Sequence, residues 1–151
     1  MKESNNISID ARYRTVLILW VGQMMSVIMF FVVTQFANSS AEPDPSTSSS
    51  LSWVFLGLGA LSAIISFLIR SKILQRSVEK QDPALVQTGV TVGLALCEVP
   101  ALLGVVERFA FPGSNYYLLF VIAVAGMALH FPRRDFLLAA SYKDPSFGAS
   151  S

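Results

Sequence analysis

Residues 84–106, ALVQTGVTVGLALCEVPALLGVV, decide the fold class because they form an apolar run of 23 residues with a single charged side chain, Glu98. The hydrocarbon core of a bilayer is about 30 Å thick, so a helix needs roughly 20 apolar residues to cross it. Three further runs of similar character occupy residues 16–36, 51–69 and 116–131. The sequence therefore predicts an all-α, polytopic membrane protein with four transmembrane helices.

The composition agrees with a lipid-facing surface. Of the 151 residues 53% are hydrophobic and 14% charged, and the mean hydropathy is +0.56, whereas soluble domains carry about 25% charged residues. Eleven basic residues nearly balance ten acidic ones, which excludes the broad basic face that nucleic acid requires. One cysteine and one histidine exclude a disulfide framework and a multi-ligand Cys/His metal site. The expected partner is the bilayer, and no cofactor is predicted.

Basic residues predict the orientation of the chain. Ten of the eleven lysines and arginines lie before residue 16, between residues 70 and 80, or after residue 132, and Arg108 is the remaining one. Connections rich in Lys and Arg stay in the cytoplasm. We therefore expect an integral protein of the plasma (inner) membrane with both termini cytoplasmic.

The four runs leave five connecting or terminal segments. On the predicted cytoplasmic side these are an N-terminal segment, a basic loop and a tail in which a short interfacial helix follows Arg133 and Arg134. On the outer side they are a Ser- and Pro-rich loop that we expect to be disordered and a turn. Their bounds are residues 1–15, 70–83 and 132–151 inside, and residues 37–50 and 107–115 outside.

Glu98 is the residue that stands out, because it is an acid close to the predicted middle of a span. At 1.5 Å per residue it lies about 4 to 5 Å from the midplane, where a charged side chain costs roughly 2.5 to 3.5 kcal/mol. Desolvation favours the protonated form of such a carboxyl. Gln87 and Thr91 fall within about 40° of Glu98 around the helix, which predicts a thin polar stripe. Glu98 is thus a proton-site candidate, and a buried hydrogen-bonding role stays open beside it.

Small residues predict the helix contacts. Glycine, alanine and serine let membrane helices approach closely, and Gly57 and Gly59 mark such a contact in the second span. The third span has a ridge of small residues at intervals of four, formed by Gly89, Gly93, Cys97 and Ala101. Cys97 is interpreted as a packing residue because the sequence suggests no base partner for it. Pro100 removes a backbone donor and should free the carbonyl of Leu96.

Residues 56–106 resemble a known family. A helix with Gly57-Leu58-Gly59 is followed by the polar loop Lys80-Gln81-Asp82-Pro83 and by a returning helix with GLALCEVPALLG at residues 93–104. This pattern is similar to the hairpin of the rotor-ring proteolipid, the c subunit, of proton- or sodium-driven ATP synthases. The resemblance covers a third of the chain and implies that Glu98 corresponds to the ion-exchanging acid of a homo-oligomeric ring. Unlike that hairpin, this one has further spans on both sides.

Two function classes follow. In the first, the protein handles protons through Glu98 as a rotor-like or relay subunit. In the second, it is a structural accessory subunit or assembly factor of a larger membrane complex, and Glu98 makes a buried hydrogen bond. An enzyme is not expected, since the sequence offers no nucleophile–base pair, metal cluster or paired carboxylates.

Overall fold

The computed structural model describes residues 2–36, 45–110 and 115–141, with side chains from residues 9 and 50 onward in the first two segments. This part of the chain is entirely helical apart from short turns, which confirms the all-α prediction. The five helices are α1 (Lys2–Phe36), α2 (Pro45–Glu79), α3 (Pro83–Ala110), α4 (Tyr116–Leu129) and α5 (Arg134–Ser141).

Three of these helices, α1, α2 and α3, are long and apolar enough to cross a membrane. Helix α4 has 14 residues, about 21 Å at 1.5 Å per residue, and reaches the length of a span only when it is taken together with α5, across a bend of 45°. The described residues thus support three to four membrane-crossing helices.

The helices extend further than the apolar runs and include parts of four of the predicted connecting and terminal segments. Helix α1 includes most of the predicted N-terminal segment, α2 begins inside the predicted outer loop and runs to Glu79, and α3 continues to Ala110. Polar residues at these positions continue the helices because backbone hydrogen bonds, not hydropathy, set where a helix ends. Of the outer loop, residues 37–44 lie outside the described residues, as do residues 111–114 of the outer turn.

The connection between α2 and α3 is a tight turn of three residues. Gln81 adopts a left-handed conformation with φ 51°, and the backbone N–H groups of Gln81 and Asp82 donate to Val78 O and Ser77 O. This is a Schellman ending, in which glycine usually takes the left-handed position. Asp82 then caps α3 by accepting from Ala84 N at 2.9 Å, with Pro83 in the favoured first helical position. The end of α2 and the start of α3 are therefore both determined by residues 81–83.

Helix α3 occupies the centre of the bundle. It packs against α1, α2, α4 and α5, and its contact with α2 is the most extensive, whereas no Cα atom of α1 lies within 8 Å of one of α2 among the described residues. The core beside α3 contains Val27 of α1, Leu94 and Cys97 of α3, and Phe120 and Met127 of α4. Helices α1 and α2 consequently present most of their apolar side chains outward, as lipid-facing helices do.

Helix α5 covers the predicted cytoplasmic end of the bundle. Leu137 and Ala140 are buried in a second cluster with Ile9 of α1, Leu74 of α2 and Val86 of α3. An ion pair joins Arg134 to Asp10 at 2.6 Å, with both side chains about half exposed. The apolar face of this helix thus packs on protein, whereas the sequence predicted that it would lie on the leaflet.

Of the two glycines of α2, Gly59 lies in a helix contact and Gly57 does not. A side chain at Gly59 would place its Cβ 2.7 Å from Leu119 Cδ2 and 3.3 Å from Pro100 Cβ, whereas a Cβ at Gly57 would meet nothing within 4 Å. The two residues point about 200° apart around a helix, so both cannot face α3. The prediction of a helix contact at Gly57 is therefore corrected, and Gly59 makes it alone.

Gly59→Leu should destabilise the bundle, because the larger side chain overlaps Pro100 and Leu119. Overpacking of this kind typically costs about 1 to 3 kcal/mol. Gly57→Leu is the matched control, since the same substitution two residues earlier meets open space. Thermal unfolding in a mild detergent should show a lower Tm for Gly59→Leu alone. Equal shifts for the two variants would contradict the assigned contact.

Candidate functional site

The carboxyl group of Glu98 is held by side chains of α1. Gln23 Nε2 donates to Glu98 Oε2, and Ser26 Oγ lies 3.0 Å from Glu98 Oε1. Both carboxyl oxygens thereby have a partner, and the side chain is half-buried between the two helices. The two partners are three residues apart, which places them on one face of α1. We call Gln23, Ser26 and Glu98 the carboxyl clasp.

The clasp tolerates a change in protonation. The amide nitrogen of Gln23 can only donate, so Oε2 must remain an acceptor. The hydroxyl of Ser26 can donate to an ionised Oε1 or accept from a protonated one. A proton on Oε1 would therefore reverse one hydrogen bond without breaking the contact between α1 and α3.

The structure does not bring Gln87 or Thr91, the other residues of the predicted polar stripe, into contact with Glu98. Gln87 is half-buried and Thr91 is exposed. Thr91 lies two turns away from Glu98, about 10 Å along the axis, which is too far for contact. The partners of Glu98 come instead from α1, whose glutamine and serine the sequence did not connect with this acid.

Pro100 has the effect that the sequence predicted. A proline cannot donate to the carbonyl four residues earlier, and Leu96 O accepts from Ser62 Oγ of α2 at 2.8 Å. The freed backbone carbonyl thus accepts a hydrogen bond between α2 and α3, two residues before Glu98.

A second polar group lies on the other side of α3, where Ser66, Cys97 and His130 meet. Ser66 Oγ is 3.3 Å from Cys97 Sγ and 3.4 Å from His130 Nε2, and Cys97 Sγ is 3.7 Å from His130 Nδ1. All three side chains have an exposed fraction of 0%. We call these residues the buried histidine cluster.

This cluster corrects one sequence interpretation, because a possible base does lie beside Cys97. However, His130 Nδ1 is 2.8 Å from Gly126 O, and because a carbonyl only accepts, Nδ1 must carry a proton. The nitrogen nearest Cys97 is therefore already a donor and cannot take the proton of the thiol. The packing role assigned to Cys97 fits this geometry.

Arg70 adjoins the cluster and closes the end of α4. Its Nη1 atom donates to Leu129 O at 3.2 Å and its Nη2 atom to Phe131 O at 3.4 Å. Carbonyls at the end of a helix carry partial negative charge and lack partners within the helix. The Arg70 guanidinium supplies a positive charge and hydrogen-bond donors for these carbonyls, and its residue is only 8% exposed.

Small residues make room for this cluster. A Cβ at Gly93 would lie 2.8 Å from His130 Cδ2, and one at Gly126 would lie 3.0 Å from Cys97 Sγ. Gly89 makes room for Ile73 in the same way, at 3.0 Å. Ala101 is fully buried within the core beside α4.

Sequence reasoning missed a second buried acid. Glu107, assigned to the outer turn, lies within α3 and is 1% exposed. Ser52 Oγ of α2 contacts its Oε1, while Oε2 is buried without a hydrogen-bond partner. Glu107 follows Glu98 by nine residues, which turns it to the opposite face of α3. The two acids therefore fasten α3 to different helices.

The chemistry that these side chains show is hydrogen bonding between helices. Among the described residues no group of three or more His, Cys, Asp or Glu side chains could hold a metal ion. Cys97 and His130 are fully enclosed, so a substrate could reach them only if the bundle opened. No family model matches the chain, and no curated protein or solved structure is significantly similar to it.

Proposed function

We propose that this chain is an integral membrane protein without enzymatic activity of its own, which serves as a structural accessory subunit or assembly factor of a larger membrane complex. The observation that carries the proposal is the carboxyl clasp, because both oxygens of Glu98 have partners within the chain. An acid satisfied in this way stabilises the contact of α1 with α3. The outward apolar faces of α1 and α2 are then available to lipid and to membrane-embedded partners.

The clasp is tested by comparing Glu98→Ala with Glu98→Gln. Alanine leaves Gln23 and Ser26 without their partner, and interhelical hydrogen bonds in membranes contribute about 1 to 2 kcal/mol. Glutamine keeps an acceptor for Gln23 and gains a donor for Ser26, so it should be close to the parent chain. Unfolding in mixed detergent micelles measures both values.

Thr91→Val is the control, since Thr91 is a polar residue on the same stripe and is exposed. It should leave the free energy of unfolding unchanged. Equal stability of Glu98→Ala and the parent chain would contradict a structural role for Glu98.

Proton handling through Glu98, as a relay or rotor-like subunit, is the second candidate. It is favoured by the reversible hydrogen bond to Ser26, which lets Oε1 gain or lose a proton while the clasp persists. Helix α1 covers the carboxyl in this chain, so ring formation of the proteolipid kind would require the neighbouring copy to approach from another side of α3.

The second candidate predicts that a hydrophobic carbodiimide labels Glu98 in reconstituted bilayers. The reagent needs a protonated carboxyl in an apolar, reachable site, so Glu98 should be labelled and the labelling should fall as rising pH ionises the carboxyl. Mass spectrometry locates the label, and Glu107, which is 1% exposed, is the internal control that should stay unlabelled. Absence of label on Glu98 at every pH would contradict proton exchange.

We also propose that the chain lies in the plasma (inner) membrane with both termini in the cytoplasm, on the basis of its basic connections. Single cysteines can test this in a Cys97→Ala background. An impermeant maleimide should label Ser48→Cys on intact cells and should label Ser4→Cys only after lysis. The reverse pattern would contradict the orientation.

A further inference from the structure

A groove runs along the outer surface of the bundle between α1 and α4. Its volume is about 560 Å³, and its nine lining residues are all aliphatic or aromatic. One wall is formed by Val27, Ile28 and Phe31, and the other includes Val124, Ala125 and Ala128. The small alanines of α4 create the space, since larger side chains at these positions would fill it.

The length of the groove suits a lipid chain. It extends from Tyr117 to Ala128, eleven residues or about 16 Å along the helix axis, which is close to the half-thickness of roughly 15 Å of a hydrocarbon core. The groove is open along its outer side, and an extended hydrocarbon chain fits along it.

A cation stands at the Tyr117 end of the groove. Arg108 Nε donates to Thr34 O at 3.3 Å, one turn beyond Phe31, and its guanidinium lies 5.3 Å from the centre of the Tyr116 ring. Under the orientation proposed above, this end faces the headgroups of the outer leaflet. Guanidinium groups bind phosphate strongly, and a phenol such as Tyr117 suits the same depth.

We propose that this groove is a binding site for one phospholipid of the outer leaflet, with an acyl chain between α1 and α4 and its phosphate beside Arg108. The site rests on the placement of the chain in a bilayer and not on any role of Glu98. A bound lipid would fill the gap between α1 and α4 and so complete the packing on that side of α3.

Native mass spectrometry of the chain in a mild detergent, titrated with phosphatidylglycerol, tests the proposal. The parent chain should bind one lipid before further lipids add, and Ala125→Phe should weaken that first binding at least tenfold by filling the groove. Ala95→Phe is the matched control, because Ala95 is an exposed alanine of α3 outside the groove. It should bind the first lipid as the parent chain does.

The headgroup contact is tested separately. Arg108→Gln should weaken binding of phosphatidylglycerol at least fivefold, Arg108→Lys should restore most of it, and diacylglycerol, which lacks the phosphate, should be insensitive to both. Equal lipid binding by Ala125→Phe and Ala95→Phe would overturn the site. If the parent chain formed a dimer without lipid and Ala125→Phe abolished it, the occupant of the groove would be a second copy of the chain, and the proposal would also be overturned.

Discussion

The rest of the structure depends on how α3 buries its two carboxyl groups. A polar group inside a bilayer finds no water, so it must be satisfied by protein or neutralised. Glu98 turns towards α1 and meets Gln23 and Ser26, while Glu107 turns towards α2 and meets Ser52. Because the backbones of α1 and α2 do not approach each other in the described chain, each is positioned by its contacts with α3, α4 and α5.

The second constraint is that the helix backbones must lie close together, because the polar contacts form only at short distance. Gly59 lets α2 pack against Pro100 and Leu119, while Gly93 leaves room for the imidazole of His130. The hydroxyl of Ser62 can then reach Leu96 O, a carbonyl that is free because of Pro100. Small side chains and polar partners thus occur together, since a hydrogen bond between helices forms only where their axes lie close.

These features support the proposed structural role of Glu98. The clasp has a fixed donor in Gln23 and a reversible partner in Ser26, so proton uptake would leave the helices in place. The buried histidine cluster lies on a different face of α3, and the His130 Nδ1 atom that contacts Cys97 Sγ already donates to Gly126 O. The polar groups inside this bundle therefore make hydrogen bonds between helices.

The sequence by itself determined the helical class, the apolar spans and the prominence of Glu98, because hydropathy and helical periodicity are local properties of the chain. It also indicated the free carbonyl of Leu96, since the effect of a proline four residues later is local. Only the tertiary structure decided that Gln23 and Ser26 hold Glu98, that His130 lies beside Cys97, and that Gly59 rather than Gly57 makes a contact. These outcomes depend on how each helix is rotated about its axis and which helix lies next to it. Both are set by packing between residues far apart in the chain, such as Gln23 and Glu98 at a separation of 75 positions, which no local pattern records.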